Sequence, residues 1–196
     1  MVIIILALLA WILHNMAFKD TELVFEDTQI LGENDMEVMM SWEAPIMEKS
    51  AEYICQSKGD ILEIGFGMGI CSDYIQAQDV NSHTIIEIHP QVIEKLNAWA
   101  VGKSNVTVIE GDWNSVELDT YDGIFIDTYG DEDYFNFKPF ALNKAKDGAK
   151  ITYWNNFTDK RNEHGFDSVS FEDIAVVPDS NNYFSSTIYN MPKVEL

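Results

Sequence analysis

The sequence predicts an α/β fold: a doubly wound, mostly parallel sheet that ends in an antiparallel β-hairpin. Between residues 42 and 154, short apolar segments alternate with amphipathic segments of about ten residues. The short segments are continuously apolar, which is typical of strands covered on both faces. The last two strand-like segments are separated by a turn and not by a helix. They should therefore pair as a hairpin at one edge of the sheet.

The helices are predicted from apolar residues at helical spacing and from their end signals. The first helix spans Trp42 to Gln56, with Pro45 tolerated in its first turn, and Lys58-Gly59-Asp60 ends it. The later helices are predicted over Ile70 to Gln76, Pro90 to Trp99 and Tyr134 to Lys146, the last of them ended by Asp147-Gly148.

Five parallel strands and two hairpin strands complete the predicted sheet. The parallel strands are Ile61 to Ile64, Thr84 to Ile88, Val106 to Ile109, Tyr121 to Ile126 and Ala149 to Trp154. The hairpin strands are Phe166 to Val177 and Tyr183 to Tyr189. Only Phe157 to His164 join the fifth strand to the hairpin, and a parallel crossover needs about a dozen residues. The last crossover is therefore predicted to be shortened.

The chain is divided into an N-terminal extension with a linker, residues 1–29, and one domain, residues 30–196. Val2 to Leu13 form an apolar run that is shorter than the ~20 residues of a spanning helix. Three interpretations stay open: a weak membrane anchor, an element packed on the domain, or a segment with no structural role. Lys19 to Gln29 is acidic and resembles a linker.

The charge balance limits the partners. The chain has 12 basic and 33 acidic residues, a net charge of -21, which is the wrong sign for binding nucleic acid. Cys55 and Cys71 form no CxxC pair, which fits a reducing, cytoplasmic location. The histidines form no metal-binding pattern, so no metal site is predicted. The oligomeric state is left open.

A glycine-rich loop, Glu63-Ile64-Gly65-Phe66-Gly67-Met68-Gly69, follows a predicted strand and precedes a helix. Ile70 stands where the dinucleotide-binding GxGxxG pattern needs its third glycine, and no lysine follows as in a phosphate loop. The loop is similar to the E-x-G-x-G-x-G motif of class I S-adenosylmethionine (SAM) methyltransferases, which have a Rossmann-like fold. Glycines there let the backbone approach a ligand at the carboxyl ends of the strands.

This similarity implies SAM as the cofactor and acidic side chains at successive strand ends as its ligands. Glu63 would face the cationic methionyl end. Glu87 follows Gly65 by 22 residues, near the ~20 expected of a ribose-binding carboxylate. Asp112 would accept the exocyclic amine of the adenine, and Trp113 would line the pocket of the ring. The predicted cofactor-binding residues are Glu63, Gly65, Gly67, Met68, Gly69, Glu87, Gly111, Asp112, Trp113 and Asp127.

A more specific resemblance rests on several motifs in one order. They are Trp42-Glu43-Ala44-Pro45, Gly65-Phe66-Gly67-Met68-Gly69, Ile86-Glu87, Gly111-Asp112-Trp113 and Asp127-Thr128-Tyr129. From Ile30 to Trp154 the chain resembles guanidinoacetate N-methyltransferase and its relative, the fungal type of arginine δ-N-methyltransferase.

The resemblance implies an N-methyltransferase in which Glu43 and Asp127 hold the guanidinium of the substrate. A guanidinium is planar and presents N–H donors in a fixed geometry, which carboxylates match with charge-assisted bonds. Asp127 is expected to act as the base and Glu43 to position the substrate. Substrate contacts are also expected from Trp42, Tyr129, Asn156 and Phe157. In the family, backbone amides after the fifth strand bind the substrate's carboxylate, and Asn155, Asn156 and Phe157 match that stretch.

Some features depart from the family and keep the acceptor open. Ser41 replaces a basic residue, Gly130 replaces a proline, and the N-terminal lid has no clear match. No ankyrin-type repeats are present, which favours a small guanidino compound over protein arginine. The alternatives are methylation of another small acceptor, or a SAM-fold protein that binds a ligand without turnover.

Overall fold

The computed structural model of the protein describes residues 18–131, 133–179 and 181–196. Its strands are β1 (Val24–Phe25), β2 (Gln29–Leu31), β3 (Glu37–Met40), β4 (Asp60–Ile64), β5 (Ser82–Glu87), β6 (Val106–Glu110), β7 (Tyr121–Ile126), β8 (Ala145–Tyr153), β9 (Ser170–Ala175) and β10 (Ile188–Glu195). Its α-helices are α1 (Ala44–Ile54), α2 (Ile70–Gln76), α3 (Pro90–Ala100) and α4 (Phe137–Lys144). The apolar run Val2 to Leu13 lies outside the described residues.

The central sheet has seven strands in the order β6-β5-β4-β7-β8-β10-β9. Strands β4 to β8 pair in parallel, while β10 runs antiparallel to both β8 and β9. The predicted doubly wound sheet with a terminal antiparallel hairpin is thereby confirmed. Residues 154–169, all of them described, form no helix between β8 and β9, so the last crossover is shortened as expected.

Each face of the sheet buries its own apolar core. Ile61, Ile85 and Phe125 point to the side of α1, α2 and α3, where they join the larger cluster. Leu62 and Ile124 point to the opposite side, which α4 covers. The alternation follows from the two-residue period of a strand. It explains why the strands are apolar at nearly every position.

The segment predicted as a linker, Lys19 to Gln29, contains strand residues. Strands β1, β2 and β3 form a separate antiparallel sheet, so the segment Lys19 to Gln29 contains β1 and the start of β2. Leu23 and Ile30 are buried in the larger core, and that burial holds the acidic segment against the domain. The division of the chain at residue 30 stays a prediction.

The predicted boundary between the fourth helix and the fifth parallel strand is wrong. The fourth helix ends at Lys144 and not at Lys146, because Ala145 is already extended and pairs with Tyr121 at the start of β8. Asp147 and Gly148 lie within that strand, where a register shift and a positive φ at Gly148 accommodate them.

No helix of the described residues is long and apolar enough to span a membrane.

The hairpin strands are also shifted along the chain. They span Ser170–Ala175 and Ile188–Glu195, whereas the sequence predicts Phe166 to Val177 and Tyr183 to Tyr189. Residues 176–187 form the connection between them. That connection folds back toward the start of α1, which brings aromatic side chains to the site described next.

Candidate active site

A cleft of about 500 Å³ opens at the carboxyl ends of β4, β5, β6 and β7. Ligands bind at this edge in open α/β sheets. The predicted site residues in its wall are Glu63, Gly65, Gly67, Glu87, Gly111, Asp112, Trp113, Asp127 and Tyr129. Phe18 and Lys19, which no sequence motif indicates, and Met39 line it from the N-terminal side. The chain therefore has an N-terminal cover over the cleft even though its sequence matches no lid motif.

The glycine loop fits its position only with glycines at Gly65 and Gly67. Both have positive φ, +91° and +53°. A Cβ at Gly65 would lie 2.0 Å from the Asp127 carbonyl oxygen, and one at Gly67 would lie 2.3 Å from Met39 Sδ. Both distances are shorter than any real contact, so these glycines let the loop pack against β7 and β3.

The loop residues Met68 and Gly69 are placed differently from the prediction. Neither belongs to the wall of the cleft. The Met68 amide lies 3.1 Å from Met39 Sδ, and Gly69, with φ +77°, begins α2. Their role in cofactor binding stays a prediction.

Glu63 is a fully buried carboxylate in the wall of the cleft. Its Oε2 accepts a hydrogen bond from Ser72 Oγ at 2.5 Å and lies 2.9 Å from His83 Nε2. Its Oε1 has no hydrogen-bond partner among the described residues. A buried acceptor without a donor is costly, so this oxygen suits a ligand that donates an N–H or O–H.

Glu87 ends β5 with its carboxylate held by three backbone amides. Oε1 accepts from Ile88 and His89, both at 2.8 Å, and Oε2 accepts from Phe66 at 2.9 Å. A carboxylate has about four acceptor sites, so about one remains for a ribose hydroxyl, not the two of a diol. The bonds fix the side chain at the cleft.

The end of β6 carries the residues predicted to surround the adenine. Asp112 Oδ1 accepts from the Asn114 amide at 2.9 Å, which folds the loop back on itself. The Trp113 indole is buried and donates to Asp131 Oδ2 at 2.8 Å. Phe140 packs edge-on against Trp113 at 4.8 Å. Both predicted residues line the cleft, and their contacts with adenine stay predictions.

The two predicted catalytic carboxylates are close enough to affect each other's ionisation. Burial, and then the charge of Asp127, raises the pKa of Glu43. Burial, and then the charge of Glu63, raises the pKa of Asp127. No lysine or arginine of the described residues forms an ion pair with either one. Two neighbouring carboxylates with raised pKa values are stabilised in their ionised forms by a nearby cation.

Glu43 is held by a residue that no sequence motif indicates. Its Oε1 accepts from the Met40 amide and from Tyr183 Oη, both at 2.7 Å, and Oε2 makes no hydrogen bond among the described residues. Tyr183 lies in the connection between β9 and β10, not in the strand predicted for it, so no sequence pattern links it to Glu43. Glu43 is not part of the cleft wall but adjoins it through Asp127.

Trp42 packs beneath the same connection. Its ring stacks with Tyr183 at 5.8 Å and with Phe184 at 5.5 Å, and it is buried outside the cleft wall. Tyr129 does line the cleft, with its ring 5.0 Å from that of Phe18. A direct substrate contact stays a prediction for both residues.

The remaining predicted substrate residues, Asn156 and Phe157, follow β8 and lie outside the cleft. Asn156 lines a second groove of about 350 Å³. Phe157 lines neither cavity, because its ring packs 3.9 Å from the guanidinium carbon of Arg161.

Comparisons with known proteins agree with this geometry. The chain is 36% identical over 134 residues to a protein named protein arginine N-methyltransferase 2 from Aspergillus oryzae, an alignment covering 64% of this chain and 32% of that protein. It spans about a third of the length of the curated relatives it matches.

Solved structures share the fold at low sequence identity. Spermidine synthase from Thermotoga maritima superposes with a TM-score of 0.63 at 12% identity, covering 89% of this chain and 72% of that one. Precorrin-6y C5,15-methyltransferase from Geobacter metallireducens gives 0.57 at 14% identity, covering 80% and 89%.

The sheet order, the glycine loop and the relatives together place the chain in the class of SAM-dependent methyltransferases, as predicted. Within that class the match can be narrowed further. The sequence profile of guanidinoacetate N-methyltransferase matches residues 10–164, and the chain belongs to that family.

Proposed function

We propose that this protein uses SAM to methylate a guanidino nitrogen, either of a small molecule or of arginine. The observation that carries the proposal is the pair of buried Glu43 and partly buried Asp127, which forms no ion pair with a lysine or arginine of the described residues and adjoins the glycine loop. A guanidinium supplies the missing charge and matches carboxylates geometrically.

The residues of the cleft fit the proposed cofactor. Glu63 Oε1 lacks a donor among the residues that the structure describes and suits the ammonium of the methionyl group. Glu87 has room for a ribose hydroxyl. Gly65 and Gly67 have no Cβ, so the backbone of the loop can pack closely against its neighbours. When bound, SAM supplies an electrophilic methyl group on a sulfonium.

The chain's own contribution is orientation and proton transfer. Glu43 and Asp127 hold the guanidinium so that one nitrogen points at the cleft. As the new N–C bond forms and the S–C bond breaks, that nitrogen loses a proton to an Asp127 carboxylate oxygen. Asp127 lines the cleft beside the glycine loop, where a general base has to lie within hydrogen-bond reach of that proton. Orientation contributes up to about 7–11 kcal/mol in such reactions.

The test is transfer of a labelled methyl group from SAM to guanidinoacetate, arginine and an arginine-rich peptide. We expect a methylated guanidine with the wild type and a loss of at least about 100-fold in kcat/KM with Asp127→Asn, with SAM binding retained. Asp119→Asn, an exposed aspartate outside the cleft, is the matched control and should leave the rate unchanged. Tight SAM binding without transfer to any guanidine would contradict the proposal and favour a non-catalytic binding protein.

A further inference from the structure

The second groove continues the cleft away from the glycine loop. It shares Thr128, Gly130 and Asp131 with the cleft, and Tyr134, Phe135 and Asn156 form the rest of its wall. Thr128 directly follows Asp127. The substituent of a guanidinium held at Asp127 therefore has this groove beside it, and the groove is where the far end of the acceptor would lie.

The backbone amides that follow β8 are all engaged, and of their residues only Asn156 lines the groove. The Asn155 amide donates to Tyr189 Oη at 2.6 Å, and the Phe157 amide donates to Asn155 Oδ1 at 3.0 Å. The Asn156 amide donates to Glu163 Oε1 at 3.3 Å. Glu163 thus puts an internal carboxylate where the resemblance to the family places that of the substrate.

The charges around the groove also disfavour an anion. Glu163 bonds the Asn156 side chain through Oε2 at 3.3 Å, so its carboxylate is fixed beside the groove. Asp131 adds a second carboxylate on the shared wall, where Trp113 and Thr128 donate to it.

The nearby cations are engaged by other acids. Arg161 makes two bonds to Asp159, at 2.8 and 2.6 Å, and Lys160 pairs with Asp173 at 2.7 Å. Neither cation forms an ion pair with Glu163 or Asp131, although the charge of Arg161 acts to lower the pKa of Glu163. Both carboxylates therefore lack a direct cationic partner among the described residues.

We propose that Glu163 makes this groove select guanidino acceptors whose far end is neutral or positively charged, and reject those that end in a carboxylate. The proposal rests on the proposed function and narrows its substrate class. A peptide arginine or an aminoalkyl guanidine meets the requirement. Guanidinoacetate does not, because its carboxylate would meet Glu163 with no free amide to receive it among Asn155, Asn156 and Phe157.

The test uses acceptors that differ mainly in the charge of the far end: 4-guanidinobutanoate, its amide, and 4-aminobutylguanidine. We expect kcat/KM for the carboxylate to lie at least about tenfold below that for the amide, and the amine to equal or exceed the amide. Binding of the same compounds in the presence of S-adenosylhomocysteine, measured by calorimetry, should give the same order without requiring turnover.

Glu163→Gln tests the residue itself. It removes the charge and should narrow the ratio of kcat/KM between the amide and the carboxylate at least about threefold. Glu94→Gln, at an exposed position of α3 outside both cavities, is the matched control. It should keep the wild-type ratio of kcat/KM between the amide and the carboxylate.

The possible failures are distinguishable. Transfer to all three compounds with the carboxylate equal or preferred would overturn this inference and leave the proposed function standing. Neither transfer nor binding of any of them, together with no transfer to arginine or to the arginine-rich peptide, would contradict the proposed function, and the inference with it. An unchanged gap in Glu163→Gln, with an unchanged melting temperature, would remove Glu163 as the determinant.

Discussion

At the scale of single residues, the site depends on a buried carboxylate, Glu43, and a partly buried one, Asp127, neither of which forms an ion pair with a lysine or arginine of the described residues. Burial raises the pKa of Glu43 and Asp127, and each carboxylate also lies near another acid. Such an arrangement is unfavourable in the free protein and is relieved by a cationic ligand. Part of the favourable free energy of guanidinium binding therefore comes from relief of the repulsion between these acids.

Tyr183 should affect the ionisation of Glu43 and thereby the binding of the acceptor. Its hydroxyl donates to Glu43 Oε1 and thereby favours the ionised form of Glu43. Tyr183→Phe should therefore raise KM for a guanidino acceptor about fivefold, which corresponds to about 1 kcal/mol for one hydrogen bond, with little change in SAM affinity.

Steady-state kinetics with a varied acceptor would measure this effect. Tyr74→Phe is the control, because the Tyr74 hydroxyl makes no hydrogen bond among the described residues and Tyr74 is not in the cleft wall. An unchanged KM in Tyr183→Phe would mean that the bond to Glu43 has no part in acceptor binding.

At the scale of elements, the parallel strands and their helices were predictable because their signals are local. Tyr121–Ile126 and Ile70–Gln76 have the predicted bounds. The hairpin was shifted because Phe166 enters a buried aromatic cluster with Tyr153 and His164 instead of starting a strand. Pro192 lies within β10, although proline usually indicates the end of a strand.

One of the missed site residues depends on a contact between distant segments, and the other on the course of a loop. Tyr183 is 140 residues from Glu43, and Glu163 reaches the amide of Asn156 only because the last crossover has no helix. No periodicity or motif encodes either contact. The glycines, Glu87 and Asp127 could be predicted because the ends of parallel strands meet at one edge of the sheet.

The glycine loop gives a prediction for one element. Gly67→Ala would place a Cβ 2.3 Å from Met39 Sδ at φ +53°, so the backbone is strained and the Met39 side chain has to move away from the loop. We expect a loss of at least about 2 kcal/mol in stability and at least tenfold weaker SAM binding.

Gly102→Ala is the matched control for backbone strain. Gly102 has φ +83°, but no atom of the described residues lies within 4 Å of the position that a Cβ would take. This variant should lose only about 1 kcal/mol and keep the affinity for SAM. Equal SAM affinity in both variants, measured by calorimetry, would show that the approach of the loop to Met39 is not needed for the cofactor.

At the scale of the whole molecule, the acidic residues behind the net charge of -21 fall into two groups, one on the surface and one around the cleft. Most acids lie on the surface, whereas Glu43, Glu63 and Glu87 are buried around the cleft. The second core adds a buried polar group of another kind, His164, whose two ring nitrogens have no hydrogen-bond partner among the described residues. Burial lowers the pKa of His164 to about 4.

This histidine should make the stability depend on pH. Its pKa is lower in the folded chain than the ordinary 6.5, so the unfolded chain takes up the proton first as the pH falls. Its contribution is complete above about pH 6.5 and is lost as the pH falls toward 4. His164→Phe, in an aromatic surrounding, should be more stable than wild type at pH 5 by an amount on the order of 1 kcal/mol.

Thermal or urea unfolding at pH 5 and pH 8 would measure that difference. The advantage of His164→Phe should be smaller at pH 8, where the histidine is neutral in both states. The same advantage at both pH values would show that titration of His164 does not contribute.

The most direct test of the proposed site is the proton exchanged when a guanidinium binds. We would titrate 4-aminobutylguanidine into the protein with S-adenosylhomocysteine at pH 7, by calorimetry in two buffers of different ionisation heat. Because Glu43 and Asp127 have raised pKa values in the free protein, a bound cation should lower them and release protons. Net proton release in wild type, and less in Asp127→Asn, is the predicted result. Binding with no proton release, or with the same release in Asp127→Asn, would contradict the claim that this pair holds the guanidinium.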